Sequence, residues 1–237
     1  MNHLPELTEQ SAQKEKTGLR AEARVLVMTA VEAERDAVLR GLNGDSRFDV
    51  RLCGVGPASA AARTAAALGD GEDWTLVVSA GIAGGYPELA PVGTLAVGTA
   101  SIAADLGVET ADGFASVDEL GFGASALEAD AALAEALLQA LNRAGLVAAS
   151  GPIVTASTAT GTSATAAVRS ARVPGAVAEG MEGYGVAVAA SYADKPFIEL
   201  RAISNAVGPR DRDAWRIGDA LAALSAAFAI MKEVELA

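Results

Sequence analysis

From Arg24 onward, short runs of consecutive apolar residues alternate with longer segments in which apolar positions recur every three or four residues. Val25-Leu26-Val27-Met28 is a run of the first kind, the mark of a strand buried on both faces. The spacing predicts a helix over Glu32 to Leu42 and a second strand over Asp49 to Cys53. Gly54-Val55-Gly56-Pro57 reads as a turn, with Pro57 suited to the first position of an Ala-rich helix that runs to Leu68. A third strand is expected over Trp74 to Ser79, ending in the glycine-rich stretch Ala80 to Gly85, and Gly93 to Ala103 alternates as a strand. Asp105 to Gly123 is rich in Gly and Asp and reads as a loop or a β excursion. Leu133, Leu137, Leu138 and Leu141 share one helical face. A strand over Leu146 to Thr155 leads into a Thr/Ser-rich loop, and Val177 to Glu179 reads as a short strand. A helix over Glu182 to Tyr192 and a strand over Phe197 to Ser204 follow, and Leu221, Leu224, Phe228 and Met231 line a C-terminal helix. Strands alternating with helices predict an α/β domain. Residues 1–22 have no periodicity and are expected to be a disordered tail, which leaves residues 23–237 as one domain.

Charge and composition narrow the chemistry. The 237 residues carry 18 Lys+Arg against 30 Asp+Glu, a formal net charge of −12. Such a surface repels a nucleic-acid backbone, so no nucleic-acid partner is expected. No apolar run approaches the roughly 18 residues of a membrane span. Met1 to Glu22 lacks the apolar stretch of a secretory signal. A cytoplasmic protein with no membrane partner is therefore expected. Cys53 is the only cysteine and His3 the only histidine. That argues against a disulfide framework, a multi-Cys or His-ligated metal site and a Ser-His-Asp triad. Neither a metal nor a cofactor is expected, and the acids and bases of any reaction should be carboxylates.

Four clusters lie where strands end, the place where ligands gather in α/β sheets. Thr29 to Glu34 puts two acids in the first turn of a helix. They suit the helix dipole, or one of them faces the strand-end cleft as a general base. Ser79 to Gly85 is a glycine stretch able to let a backbone pass close to a ligand, or a plain turn. It is neither a G-x-G-x-x-G fingerprint nor a Walker loop, and no Lys or Arg lies between Arg63 and Arg143 to hold a phosphate there. Thr155 to Thr165 has five Thr and two Ser in eleven residues, a solvated loop with a helix cap or a hydroxyl-lined wall. The fourth cluster is Glu179-Gly180-Met181-Glu182-Gly183-Tyr184 with Arg201-Ala202-Ile203-Ser204-Asn205 about twenty residues on.

Taken in this order, the four clusters resemble those of the nucleoside phosphorylase and nucleosidase family, over about Val25 to Lys232. Thr155-Ala156-Ser157-Thr158-Ala159-Thr160-Gly161-Thr162 resembles in particular the branch of that family that cleaves futalosine. The resemblance implies a three-layer α/β/α fold around a central mixed, partly closed β-sheet. It implies that Glu34 activates the attacking water, that Glu182 binds the ribose hydroxyls and that Met181 packs on the ribose. It also places Gly81, Ile82, Ala83, Gly84 and Thr158 at the substrate, and Asn205 where adenine-specific nucleosidases carry an Asp at the purine N7. Ile82 replaces a small hydroxyl residue of those enzymes, and Gly180 an acid. The implied reaction is hydrolysis of the N-ribosidic bond of a small 6-oxopurine nucleoside. Cleaving such a bond passes through an oxocarbenium-like state, which calls for carboxylates at the sugar. A homodimer or higher homo-oligomer is implied as well. The alternatives are a 6-oxopurine nucleoside phosphorylase, a methylthioadenosine/S-adenosylhomocysteine nucleosidase, and a nucleoside-binding module without catalysis.

Overall fold

The computed structural model describes residues 23–111 and 113–235; the tail expected at residues 1–22, with His3, lies outside them. Among the described residues, ten strands and six helices follow one another: β1 Val25–Thr29, α1 Glu32–Leu42, β2 Phe48–Leu52, α2 Pro57–Leu68, β3 Leu76–Gly85, β4 Leu95–Ala103, β5 Gly107–Thr110, β6 Gly113–Ser116, β7 Ala126–Glu128, α3 Ala131–Arg143, β8 Ala148–Thr155, α4 Ser163–Arg172, β9 Ala178–Gly180, α5 Gly183–Tyr192, β10 Phe197–Ala206 and α6 Ile217–Met231. A single 3-10 turn, Arg212–Ala214, precedes α6.

The sheet is mixed and partly closed. β3 pairs in parallel with β1 and β10, and β1 with β2. On the far side of β10, the order β10-β4-β8-β9 bends back until β9 meets the end of β3 at Gly84 and Gly85. β1 is buried on both faces because helices cover both, and its alternate residues divide between the two layers. Val25 and Val27 pack with Val38 and Leu42 of α1, Leu137 and Leu141 of α3, and Leu224, Phe228 and Met231 of α6. Leu26 and Met28 pack with Ala60 and Ala67 of α2 and Val186, Ala187 and Ala190 of α5. The second layer is thin because its helices carry small residues. Gly185 of α5 lies so close to α2 that a Cβ there would sit 2.1 Å from the Pro57 carbonyl oxygen.

Several elements depart from the sequence pattern. β3 runs straight through the glycine stretch to Gly85, so Ser79 to Gly85 is strand and not loop. The Thr/Ser-rich segment is a loop only as far as Thr162, which caps α4 by accepting the Thr165 N–H at 3.1 Å. α4 has no apolar stripe to announce it; its buried residue is Arg169. β7 is three residues long and has no pattern to read. The excursion over Asp105 to Gly123 contains a two-stranded β5–β6 ribbon. Arg212–Met231 is long and apolar enough, by length and composition only, to cross a membrane, although no apolar run in the sequence approached that length. Ala220, Leu224, Ala227, Phe228 and Met231 of that stretch are buried in the core, as in any helix that packs on a sheet.

β10 carries one local irregularity that matters for the site. Its register on β3 shifts between Ile203 and Asn205, which brings Asn205 opposite Gly84. An extra residue of this kind bends a strand and re-aims the side chains beyond it.

Candidate active site

The carboxyl ends of β1, β3, β9 and β10 converge, and the first turn of α1 folds over them. Glu34, in that turn, is buried. Its Oε2 accepts the N–H groups of Ala30 at 3.0 Å and Val31 at 3.3 Å, and its Oε1 accepts the Ile82 N–H at 2.8 Å. The carboxylate can reach β3 only because residue 81 is glycine: a Cβ there would lie 2.5 Å from Oε1. Burial pushes the Glu34 carboxyl above its usual range, opposed by the Arg201 guanidinium and the Ile82 N–H and reinforced by the charge of Glu182.

Arg201 lies beneath, 1% exposed, on β10 two residues after Glu199. Its Nε donates to Glu199 Oε1 at 2.9 Å, its Nη2 donates to Ser79 Oγ at 2.9 Å, and its Nη1 is 3.5 Å from Glu182 Oε2. Burial works against this cation, but Glu199, Glu182 and Glu34 outweigh it and hold Arg201 charged. Glu199 is wholly buried, and Ser101 Oγ donates to its second oxygen. Burial raises its carboxyl, against the pull of Arg201. Glu182 is buried as well, and its oxygens accept the N–H groups of Gly56 at 3.2 Å and Met181 at 3.3 Å. Three acids thus share one buried cation, and two of them, Glu34 and Glu182, open onto a cleft of about 260 Å³.

Ile82, Ala83, Gly84, Met181 and Asn205 also line the cleft. Gly81 stands behind Glu34. Thr158 does not reach the cleft: its side chain is exposed, and its carbonyl oxygen accepts from Arg169 Nη2 at 2.7 Å. That turn aims Thr160 inward instead. Thr160 donates its N–H to Glu179 Oε1 at 2.6 Å, and Arg169 closes the group through a 2.8 Å ion pair with Glu179 Oε2. Asn205 Oδ1 accepts from Ser204 Oγ at 2.8 Å, and its Nδ2 donates to the Ala206 carbonyl at 3.0 Å. Val55, Arg210 and Trp215 complete the rim.

A model of the phosphorylase superfamily matches residues 21–233. The chain belongs to that superfamily. Among its relatives, a futalosine hydrolase of Streptomyces coelicolor is 50% identical over 220 residues, covering 85% of this chain and 92% of the relative. A futalosine hydrolase of Acidothermus cellulolyticus is 45% identical over 219 residues, covering 87% of this chain and 89% of the relative. Among solved structures, the 5'-methylthioadenosine/S-adenosylhomocysteine nucleosidase of Neisseria meningitidis, in complex with methylthio-immucillin-A, superposes with a TM-score of 0.78. It is 23% identical and the match covers 88% of this chain and 97% of that one, a likeness of fold.

Within this superfamily fold, the sequence pattern gave no role to Glu199, Ser101, Gly56, Arg169, Arg201, Arg210 and Trp215, and it pointed to Thr160 only as one hydroxyl of the stretch Thr155 to Thr165. One signal was legible. Glu199 and Arg201 stand two apart in an apolar strand, so they share a face, and opposite charges there can be buried only if they meet. Gly183 is the counterpart of that pair, since a Cβ on it would lie 2.2 Å from both carboxylate oxygens of Glu199. Gly183→Ala should therefore lower the unfolding midpoint sharply in the wild type. In a Glu199→Ala background it should cost much less, with a coupling of about 0.5–3 kcal/mol between the two sites. Additive midpoint shifts in a double-mutant cycle would show that the carboxylate can move aside freely.

Proposed function

We propose that this protein hydrolyses the N-ribosidic bond of futalosine, releasing hypoxanthine. The observation that carries the reading is the pair of buried carboxylates, Glu34 and Glu182, held on either side of Arg201 at one cleft. The identity of 50% and 45% with two futalosine hydrolases, over most of each chain, supports the substrate.

As the C1′–N9 bond opens, its electron pair goes to the base and positive charge develops on the ribose. Glu182 accepts the ribose hydroxyls, and those hydrogen bonds strengthen as the charge grows. Met181 packs on the sugar. Glu34 takes a proton from the attacking water, whose oxygen bonds to C1′. Its raised carboxyl is a stronger base than an ordinary glutamate. Asn205 faces the base. With one lone pair and one N–H engaged by Ser204 and Ala206, the amide keeps an acceptor for N7–H and a donor for a 6-oxo group. An asparagine has no acid proton to transfer, so the proton that reaches N7 comes from solvent. One water is consumed for each nucleoside cleaved.

A phosphorylase would need a cation for phosphate beside β3. Arg201 is engaged by Glu199, Glu182 and Ser79, and β3 itself has no basic residue. With this reading go a place in menaquinone biosynthesis, a cytoplasmic location and a homo-oligomeric state. The last is supported by an apolar outer face in which Phe122 and Tyr192 are 80% and 90% exposed beside Leu106 and Val188.

The direct test is chromatography of the free base after incubation with futalosine, inosine or methylthioadenosine in phosphate-free buffer. Hypoxanthine from futalosine is expected to appear fastest, and added phosphate should leave no sugar phosphate. Faster release of adenine from methylthioadenosine, or a requirement for phosphate, would overturn the assignment. Glu34→Gln should cost about 10²–10⁴-fold in rate. In the wild type, the acid limb of kcat/KM should lie above the ordinary glutamate value of 4.5, because a raised carboxyl stays protonated and inactive to higher pH. A limb at or below 4.5 would remove Glu34 as the base. Sedimentation equilibrium of the pure protein should give at least a dimer, and a monomer at micromolar concentration would contradict the oligomeric part.

A further inference from the structure

We infer that Arg210 stabilises the negative charge that develops on the leaving base, and so is a further catalytic residue of the proposed hydrolysis. The inference rests on the nucleosidase reading and deepens it.

The cleft is electrically polar along its length. Glu34 and Glu182 face one end, where they suit a ribose gaining positive charge. Arg201, the cation beneath them, is bound to Glu199 and Ser79 and paired with Glu182. Glu179, the third acid of the lining, is neutralised by Arg169. Arg210, on the loop after β10 rather than on the β3 side where a phosphate would sit, is the one Lys or Arg side chain among the described residues that line the cleft. No described carboxylate pairs with it. Its guanidinium lies over the ring of Trp215, 5.3 Å from the centroid, and Trp215 lines the cleft too. A stacked guanidinium without a counterion is oriented yet keeps its donors for a ligand.

Position assigns this cation to the base rather than the sugar. Along β3, Gly81 touches Glu34 and Gly84 faces Asn205, three residues farther on or about 10 Å. The chain continues from Asn205 to Arg210, whose side chain packs beside the loop after β8. There a Cβ on Gly161 would meet its Cγ at 3.7 Å. Arg210 thus roofs the end of the cleft bounded by Asn205 and Thr160, away from Glu34.

Chemistry supplies the need. The electron pair of the broken C1′–N9 bond stays on the purine, and Asn205 cannot protonate it. Until solvent delivers a proton to N7, the base carries negative charge shared between its ring nitrogens and O6. Asn205 can take only one lone pair of O6, so O6, on which the anion's charge is shared, keeps a second acceptor site for a guanidinium donor while N7 stays open to solvent. Donors aimed at charge that develops in the transition state act on kcat and not only on binding.

The test compares futalosine with futalosine methylated at N7. The methylated base leaves as a neutral molecule, so it has no developing anion to stabilise. Arg210→Gln should lower kcat/KM on futalosine about 10- to 100-fold, mostly through kcat, and leave the methylated substrate within about threefold of wild type. Arg210→Lys, which keeps the charge, should lose less on futalosine. The unfolding midpoint of each variant checks that the fold is kept. A loss of less than about twofold on futalosine would overturn the inference. So would an equal loss on both substrates, the result expected if Arg210 held the 5′ tail that they share. A wild-type protein that released base from neither substrate would overturn the functional reading, and this inference with it.

Discussion

A single cation buried in the sheet, Arg201, imposes the arrangement around it. A guanidinium out of reach of water is costly unless its charge and its donors are satisfied within the protein. Here Glu199 and Ser79 take two of its donors, and Glu182 lies within ion-pair distance. Glu34, on the neighbouring helix, adds to the field that keeps Arg201 charged. The same cation limits how far burial can raise Glu34, so the carboxylate stays ionisable in a dry setting. The neighbourhood that makes Arg201 tolerable is what gives Glu34 and Glu182 their chemistry.

Glycines follow from this constraint rather than from loop flexibility. Gly81 leaves room for Glu34 and the Arg201 guanidinium, and Gly183 leaves room for the carboxylate of Glu199. Gly56 contributes a backbone N–H to Glu182, and Gly185 lets α5 approach α2 closely enough to keep that donor in place. Gly81, Gly183 and Gly185 each substitute close approach of backbone for a side chain, whereas Gly56 is required by its φ of 90°. The segment Ser79 to Gly85 therefore works as a strand whose bare backbone forms a wall.

The cleft built on this base separates charge. In the proposed reaction, the acids would face the sugar as it becomes positive, and the amide and stacked guanidinium would face the base as it becomes negative. A heterolytic C–N cleavage needs both ends, and preorganised groups of each sign cost little reorganisation at the moment of reaction. Glu179 would spoil this polarity if it were unpaired, and Arg169 of α4 neutralises it.

Most of the architecture was legible in the chain. The apolar run at Val25 to Met28, the helix from Glu32 and the Leu224–Phe228–Met231 stripe follow from periodicity, because each must bury one or both faces on neighbouring layers. Glu34, Met181, Glu182 and Asn205 could be singled out because they sit in motifs beside strand ends. Helix α4 could not, because its fixed contact is a polar one through Arg169, which no hydrophobic pattern encodes. Nor could Thr160 be told from Thr158, since which hydroxyl of a Thr-rich loop faces inward depends on where Arg169 and Glu179 anchor it. The sequence by itself determined the alternation of strands and helices and the residue types available for chemistry, since these depend on local spacing and composition. Tertiary structure alone decided that β10 folds Glu199 and Arg201 against Gly183 and Ser79, and that Arg210 packs beside Gly161. Those contacts join residues far apart in the chain, and only closure of the sheet brings them within reach.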